Sequence, residues 1–127
     1  MTPIAISSTE IPHPQMAYSQ AVKVGNLLFV SGQAGVDFKS GAISGNFETQ
    51  ARQAFENLSA VLTASGSALN LVAKTTVWLT NAQNFEMLNK LYAEYFPVNP
   101  PSRSTPIIKL PKDEFQISIE AIAVVAE

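Results

Sequence analysis

Near the end of the chain Phe115, Ile117, Ile119 and Ala121 alternate with Gln116, Ser118 and Glu120. This is the period-two pattern of a strand with one apolar and one polar face. Two shorter apolar runs, Tyr18–Val24 and Leu27–Ser31, flank Gly25-Asn26, and glycine at the first central position suits a two-residue hairpin turn. Residues 33–45 carry Gly35, Gly41 and Gly45 and read as loop. From Asn46, a good N-cap, the period changes. Phe47, Ala51, Phe55, Leu58 and Leu62 form one helical stripe, which Gly66 stops. Lys74–Leu79 is β-branched and aromatic, hence strand. Asn81 or Asn84 caps a second helix in which Phe85, Leu88, Tyr92 and Tyr95 share a face, and Pro97 ends it. Ser104–Leu110 adds a further strand before the alternating one. The order β-β-α-β-α-β predicts an α+β sandwich in a single domain, 1–127, with both helices on one face of a mixed sheet. The other face is left bare, and a bare sheet face of this size calls for a partner.

Composition narrows the function classes. Hydrophobic residues make up 46% of the chain and charged residues 14%, so disorder is excluded. Eight basic against ten acidic side chains give a formal charge of −2, which argues against a nucleic-acid or anionic-membrane surface. There is no cysteine, which removes disulfide, thiolate and Cys-ligated metal chemistry. Residues 1–14 have neither a basic-then-apolar secretory pattern nor the arginines of a transit peptide. The longest apolar run, Ala121–Ala126, is far below the ~20 residues of a membrane span. A cytoplasmic protein is the simplest expectation, with the mitochondrion left open.

Few residues can carry chemistry. His13 is the only histidine and sits between two prolines, so a histidine relay or a two-histidine metal site within one chain is excluded. No phosphate-binding glycine loop is present; Gly32 and Gly35, in Ser31–Gly35, signal loop geometry more than a motif. Two arginines remain. Arg52 lies on the first helix and suits a solvated or helix-pairing role. Arg103 lies in Pro100–Pro106, where prolines stiffen the backbone. A guanidinium on stiff chain makes a bidentate carboxylate clamp; a structural ion pair or an interface contact is the alternative.

Several segments fit together in order: Tyr18–Val22, Ser31–Gln33, Asn57-Leu58, Asn89 with Tyr92, Ser102–Ser104, Leu110-Pro111 and Ile119–Ala123. In this ordered set the chain resembles the RidA / YjgF / YER057c / UK114 family of reactive-intermediate imine deaminases over about residues 10–126. The resemblance implies a chorismate-mutase-like fold whose sheets form a central barrel in a homotrimer, with clefts between subunits. It implies cofactor-free hydrolysis of 2-imino acids (2-iminopropanoate, 2-iminobutanoate) to 2-keto acids and ammonia. On the matching positions, Arg103 is the carboxylate clamp and the Thr105 backbone N–H supports it. Ser31, Gly32 and Asn89 are binding positions, with Tyr18 and Ser118 beside the reacting centre.

The chain departs from the family pattern in places. Met16-Ala17 stands where a Gly-Pro is common. The stretch after Arg103 is one residue short, and that before the last strand one residue long. Ser118 occupies the position of a water-positioning glutamate. Glu120 lies on the same strand face, displaced by roughly 7 Å, and could serve only in a shifted register. Ser118 leaves open a non-catalytic, carboxylate-binding or regulatory trimer. A ribonuclease or translation inhibitor, also ascribed to some family members, fits the acidic balance poorly.

Overall fold

The computed structural model describes residues 1–126. Its elements are β1 (Ile4–Ala5), β2 (Ala21–Val24), β3 (Leu27–Ala34), α1 (Phe47–Ala64), β4 (Val72–Leu79), α2 (Phe85–Tyr95), β5 (Ser102–Ser104) and β6 (Ile117–Val124). Single 3₁₀ turns precede β4 and α2. The strands form one six-stranded sheet in the order β1-β2-β3-β6-β4-β5, antiparallel except for the β4–β5 pair that α2 connects. The chain is thus α+β, with both helices on one face of a mixed sheet, as the periodicities predict.

The hairpin turns on Gly25, whose φ is +60° while Asn26 stays at negative φ, the pattern of a type II′ turn that matches strand twist. Asn46 caps α1: its side-chain oxygen accepts the Thr49 N–H at 3.0 Å. Asn46→Ala is expected to cost about 1 kcal/mol of stability, read from a urea unfolding curve, because it strands that donor. At the other end Gly66, at φ +83°, lets the Ser67 N–H reach back to the Leu62 carbonyl at 2.8 Å. Phe55, Leu58 and Leu62 of α1 and Leu88 and Leu91 of α2 pack fully buried against Val77, Leu79, Ile117 and Ile119 of the sheet.

Some elements differ from the sequence reading. β1 was not expected; it is a two-residue exposed edge strand whose pairing with β2 leaves no periodic trace. β3 runs on to Ala34, so Gln33 and Ala34 belong to the strand and not to the loop. Asn81 caps only the 3₁₀ turn, accepting the Gln83 N–H, and Asn84 makes no side-chain cap for α2. Ser104–Leu110 is not a strand. β5 covers Ser102–Ser104, and Pro106, which lacks an N–H, breaks the ladder. The chain then touches β4 again through the Leu79–Ile107 bridge alone.

The sheet face away from the helices has two zones. Val22, Phe29 and Ile122 form one cross-strand row, and Val24, Leu27 and Val124 a second. Phe29 is 42% exposed and Leu27 40% exposed, so this apolar zone is uncovered in the single chain. Further along, the same face turns polar, with Ser118 beside Trp78 and Glu120 beside Thr76.

Candidate functional site

Arg103 is placed by β5. Parallel pairing sets it opposite Thr75, whose side chain faces α2, so the guanidinium also lies on the helix side of the sheet. There Nη2 donates to Asn89 Oδ1 at 2.8 Å. The guanidinium carbon stands 4.7 Å from the centre of the Tyr92 ring and 5.7 Å from that of Phe85. Arg103 is half-buried, and among the described residues it makes no ion pair. A cation held by an amide and an aromatic face, with no acid to neutralise it, keeps its charge available to an anion. Arg52 differs: it bridges Glu48 one turn back and Glu94 on α2 at 3.1 and 3.0 Å. Those contacts raise its pKa, with the Glu48 hydrogen bond the largest cause.

A second group forms on the uncovered sheet face. The β3–β6 register slips by one residue between Val30 and Gln33, and Ser31-Gly32 occupies the bulge. Bulges re-aim side chains and recur beside active sites. The Ser31 hydroxyl donates to the Ser19 carbonyl at 2.6 Å, and the Ser31 N–H to the Gln20 carbonyl at 2.9 Å. Both bonds hold the Tyr18–Gln20 segment against β3, where Tyr18 is 49% exposed. Gly32 sits against Ser118: a Cβ there would lie 2.8 Å from the Ser118 hydroxyl oxygen and 3.7 Å from the Trp78 ring. Behind the bulge, buried Gln33 donates to Gln20 at 2.9 Å, and Gln20 donates to the Pro12 carbonyl at 3.2 Å. Ser31, Gly32 and Ser118 therefore belong to one neighbourhood, with Trp78 at its edge and Tyr18 next in the chain to the Ser19 that Ser31 bonds.

The single chain does not bring the two groups together. Arg103 and Asn89, with Thr105 following directly on β5, lie at the sheet edge beside α2, whereas Ser118 and Gly32 lie on the opposite face. Glu120 shares the face of Ser118 but neighbours Thr76, bordering a hollow of only about 20 Å³ with Lys74 and Ile122. The roomier cavities, of about 620 and 300 Å³, lie elsewhere. One runs between α1 and the Phe96–Pro101 loop and the other around Ile107–Leu110, and neither includes Arg103, Gly32 or Ser118. His13 is exposed on the N-terminal segment. Sequence reading placed Tyr92 in the buried stripe of α2 without giving it a part beside Arg103, and it gave Trp78 none. The i,i+3 spacing of Asn89 and Tyr92 was the available signal.

This chain belongs to the family described as endoribonuclease L-PSP, whose model matches residues 8–125. The RidA / YjgF / YER057c / UK114 resemblance read from its residues is thereby confirmed. A RutC family protein of Pyrococcus horikoshii is 45% identical over 120 residues, 93% of this chain and 94% of that one. The 2-iminobutanoate/2-iminopropanoate deaminase of Rattus norvegicus is 42% identical over 121 residues, 94% of this chain and 88% of that one. Among solved structures, TdcF of E. coli with bound serine superposes with a TM-score of 0.89 at 33% identity, covering 97% of this chain and 99% of that one.

Proposed function

We propose that this protein hydrolyses small 2-imino acids to 2-keto acids and ammonia, with Arg103 holding the substrate carboxylate. The observation that carries this reading is the guanidinium itself: oriented by Asn89 and Tyr92, half-exposed, and without an acidic partner among the described residues. Two further facts support it. A rat relative at 42% identity is named as such a deaminase, and a structural neighbour holds serine, which carries the same α-carboxylate.

The placement of the two groups supports a shared site. One copy would supply Arg103, Asn89 and the Thr105 backbone N–H; a neighbour would supply Tyr18, Gly32 and Ser118. The uncovered apolar rows around Phe29 are the surface a homotrimer would bury. In such a cleft Arg103 fixes the carboxylate by two charge-assisted hydrogen bonds. Water held by the Ser118 hydroxyl adds to the imine carbon. One water proton passes to nitrogen, giving the carbinolamine; its hydroxyl proton then passes to the amine as the carbonyl forms and the carbon–nitrogen bond breaks, releasing ammonia and the keto acid. No cofactor enters this sequence. Serine is no base near neutral pH, so catalysis here rests on positioning rather than on proton abstraction.

The test is to time keto-acid release from an imine generated by a dehydratase, with and without this protein. Faster release is expected; an unchanged rate would leave the second reading, a trimer that binds carboxylates without hydrolysing imines. Ser118 in the place of the glutamate favours that second reading. Within the first, Ser118→Ala is expected to lower kcat about tenfold with KM little changed, because it removes about one water-orienting hydrogen bond. Tight RNA binding with a steep salt dependence would instead point to the activity in the family's description.

A further inference from the structure

The chain invests buried structure in the surroundings of Arg103 beyond its bond to Asn89. Tyr92 is 6% exposed, and its hydroxyl shares a 2.6 Å hydrogen bond with the buried Thr75 hydroxyl, on the strand that β5 pairs with. Phe55 and Phe96 contact the ring at centroid distances of 6.0 and 4.6 Å. Burial pushes the phenol above the ordinary tyrosine value, which the Thr75 bond and the Arg103 charge offset in part, so the group stays a neutral phenol. The ring is thus fixed on several sides, and the guanidinium lies 4.7 Å from its centre. Asn89, one helical turn before Tyr92, takes only Nη2; Nη1 and Nε donate to nothing among the described residues.

We infer that Tyr92 is a positioning residue for Arg103: its locked ring is the support that holds the guanidinium in place and leaves its free donors available. This rests on the reading of Arg103 as the carboxylate clamp, but its physical content concerns the unliganded protein. A guanidinium on a long, flexible stem loses rotamer freedom when it binds a carboxylate; one already immobilised loses less.

The test compares two double variants, Thr75→Val with Tyr92→Phe and Thr75→Val with Tyr92→Leu. Neither leaves the Thr75 hydroxyl unpaired, so they differ in the ring alone. The readouts are the ¹⁵N order parameter of Arg103 Nε, with Arg52 as the internal control, and the Kd for 2-oxobutanoate. In the wild type and the Phe variant, Arg103 Nε is expected to approach the order of rigid backbone, about 0.85; in the Leu variant it should fall below about 0.6. The Kd should rise about tenfold in the Leu variant and be restored to within about threefold by Phe. Equal order and equal Kd in both variants would overturn the inference. So would a mobile Arg103 Nε in the wild type, a measurement that stands even if the Leu variant does not fold. If Arg103→Ala binds 2-oxobutanoate as the wild type does, the clamp reading fails, and the order parameters still decide the part played by Tyr92.

Discussion

Arg103→Ala is expected to lower kcat/KM for imine hydrolysis by about 10²- to 10⁴-fold while leaving the fold intact. Two charge-assisted hydrogen bonds to a carboxylate contribute about 1.5–3 kcal/mol each, and each 1.4 kcal/mol is a factor of ten. The uncatalysed hydrolysis in water sets the floor, so the loss is read as a return to the rate without protein. The fold should survive because Arg103 sits half-buried on the three-residue edge strand β5 and makes no ion pair among the described residues. Its loss frees the Asn89 side chain, which is exposed and can bond water. Superposable circular-dichroism spectra and an unfolding midpoint close to wild type check that part. Lost activity with an unfolded chain would say nothing of the clamp, so both measurements belong together.

Gly35→Ala should instead strike stability, by about 3 kcal/mol or more. Gly35 follows directly on β3, where the chain passes over the first turn of α1. An added Cβ would run into the Gln50 carbonyl oxygen, with Gln50 Cγ at 2.6 Å and its carbonyl carbon at 2.9 Å. The obstacle is helix backbone, which cannot swing aside as a side-chain tip can. Moving it would disturb one of the most connected polar groups in the protein. Gln50 is fully buried. Its amide donates to the Ser44 and Glu114 carbonyls at 2.8 and 3.0 Å, and its oxygen accepts the Gln116 N–H at 2.6 Å. These bonds tie α1 to the loops on either side. Overpacking alone typically costs about 1–3 kcal/mol, and each buried partner left unsatisfied adds about 1–3 kcal/mol. A urea midpoint shift with unchanged slope is the expected signature. A stability within about 0.5 kcal/mol of wild type would mean that the β3–α1 passage has room that the structure does not show.

What the sequence made legible follows from how each element is stabilised. α1 and β6 bury one continuous face, and a buried face writes its period into the chain; Phe55, Leu58 and Leu62, and Ile117, Ile119 and Ala121, are that writing. The Gly25-Asn26 turn and the Asn46 cap were readable because each uses a residue type that the local backbone demands. β1 escaped notice because two exposed residues at an edge carry no period. The expected strand at Ser104–Leu110 failed because its apolar residues serve a passing contact with Leu79, while Pro106 forbids a ladder. Gln50 was hidden for a different reason: a polar residue within a helix reads as solvent-facing unless its partners, 64 and 66 residues away in the chain for Glu114 and Gln116, are known.

The site was legible in part. Arg103 stood out by elimination and by its proline setting, and the resemblance supplied Tyr18, Ser31, Gly32, Asn89 and Ser118 around it. That Asn89 and Tyr92 hold the guanidinium depends on the register of β5 against β4, which no local pattern encodes. That Gly32 abuts Ser118 depends on a one-residue bulge in β3. Nor does periodicity say that Arg103 and Ser118 end on opposite faces of one sheet, the arrangement on which the proposal of a shared site rests.

A crystal structure of the protein soaked with 2-oxobutanoate bears on this most directly. The expected result is the keto-acid carboxylate on the Arg103 guanidinium, two oxygens at about 2.8 Å from its nitrogens, with Gly32 and Ser118 of a neighbouring copy lining the same cleft. A keto acid bound away from Arg103, or an Arg103 that a neighbouring copy's acid has already neutralised, would contradict it.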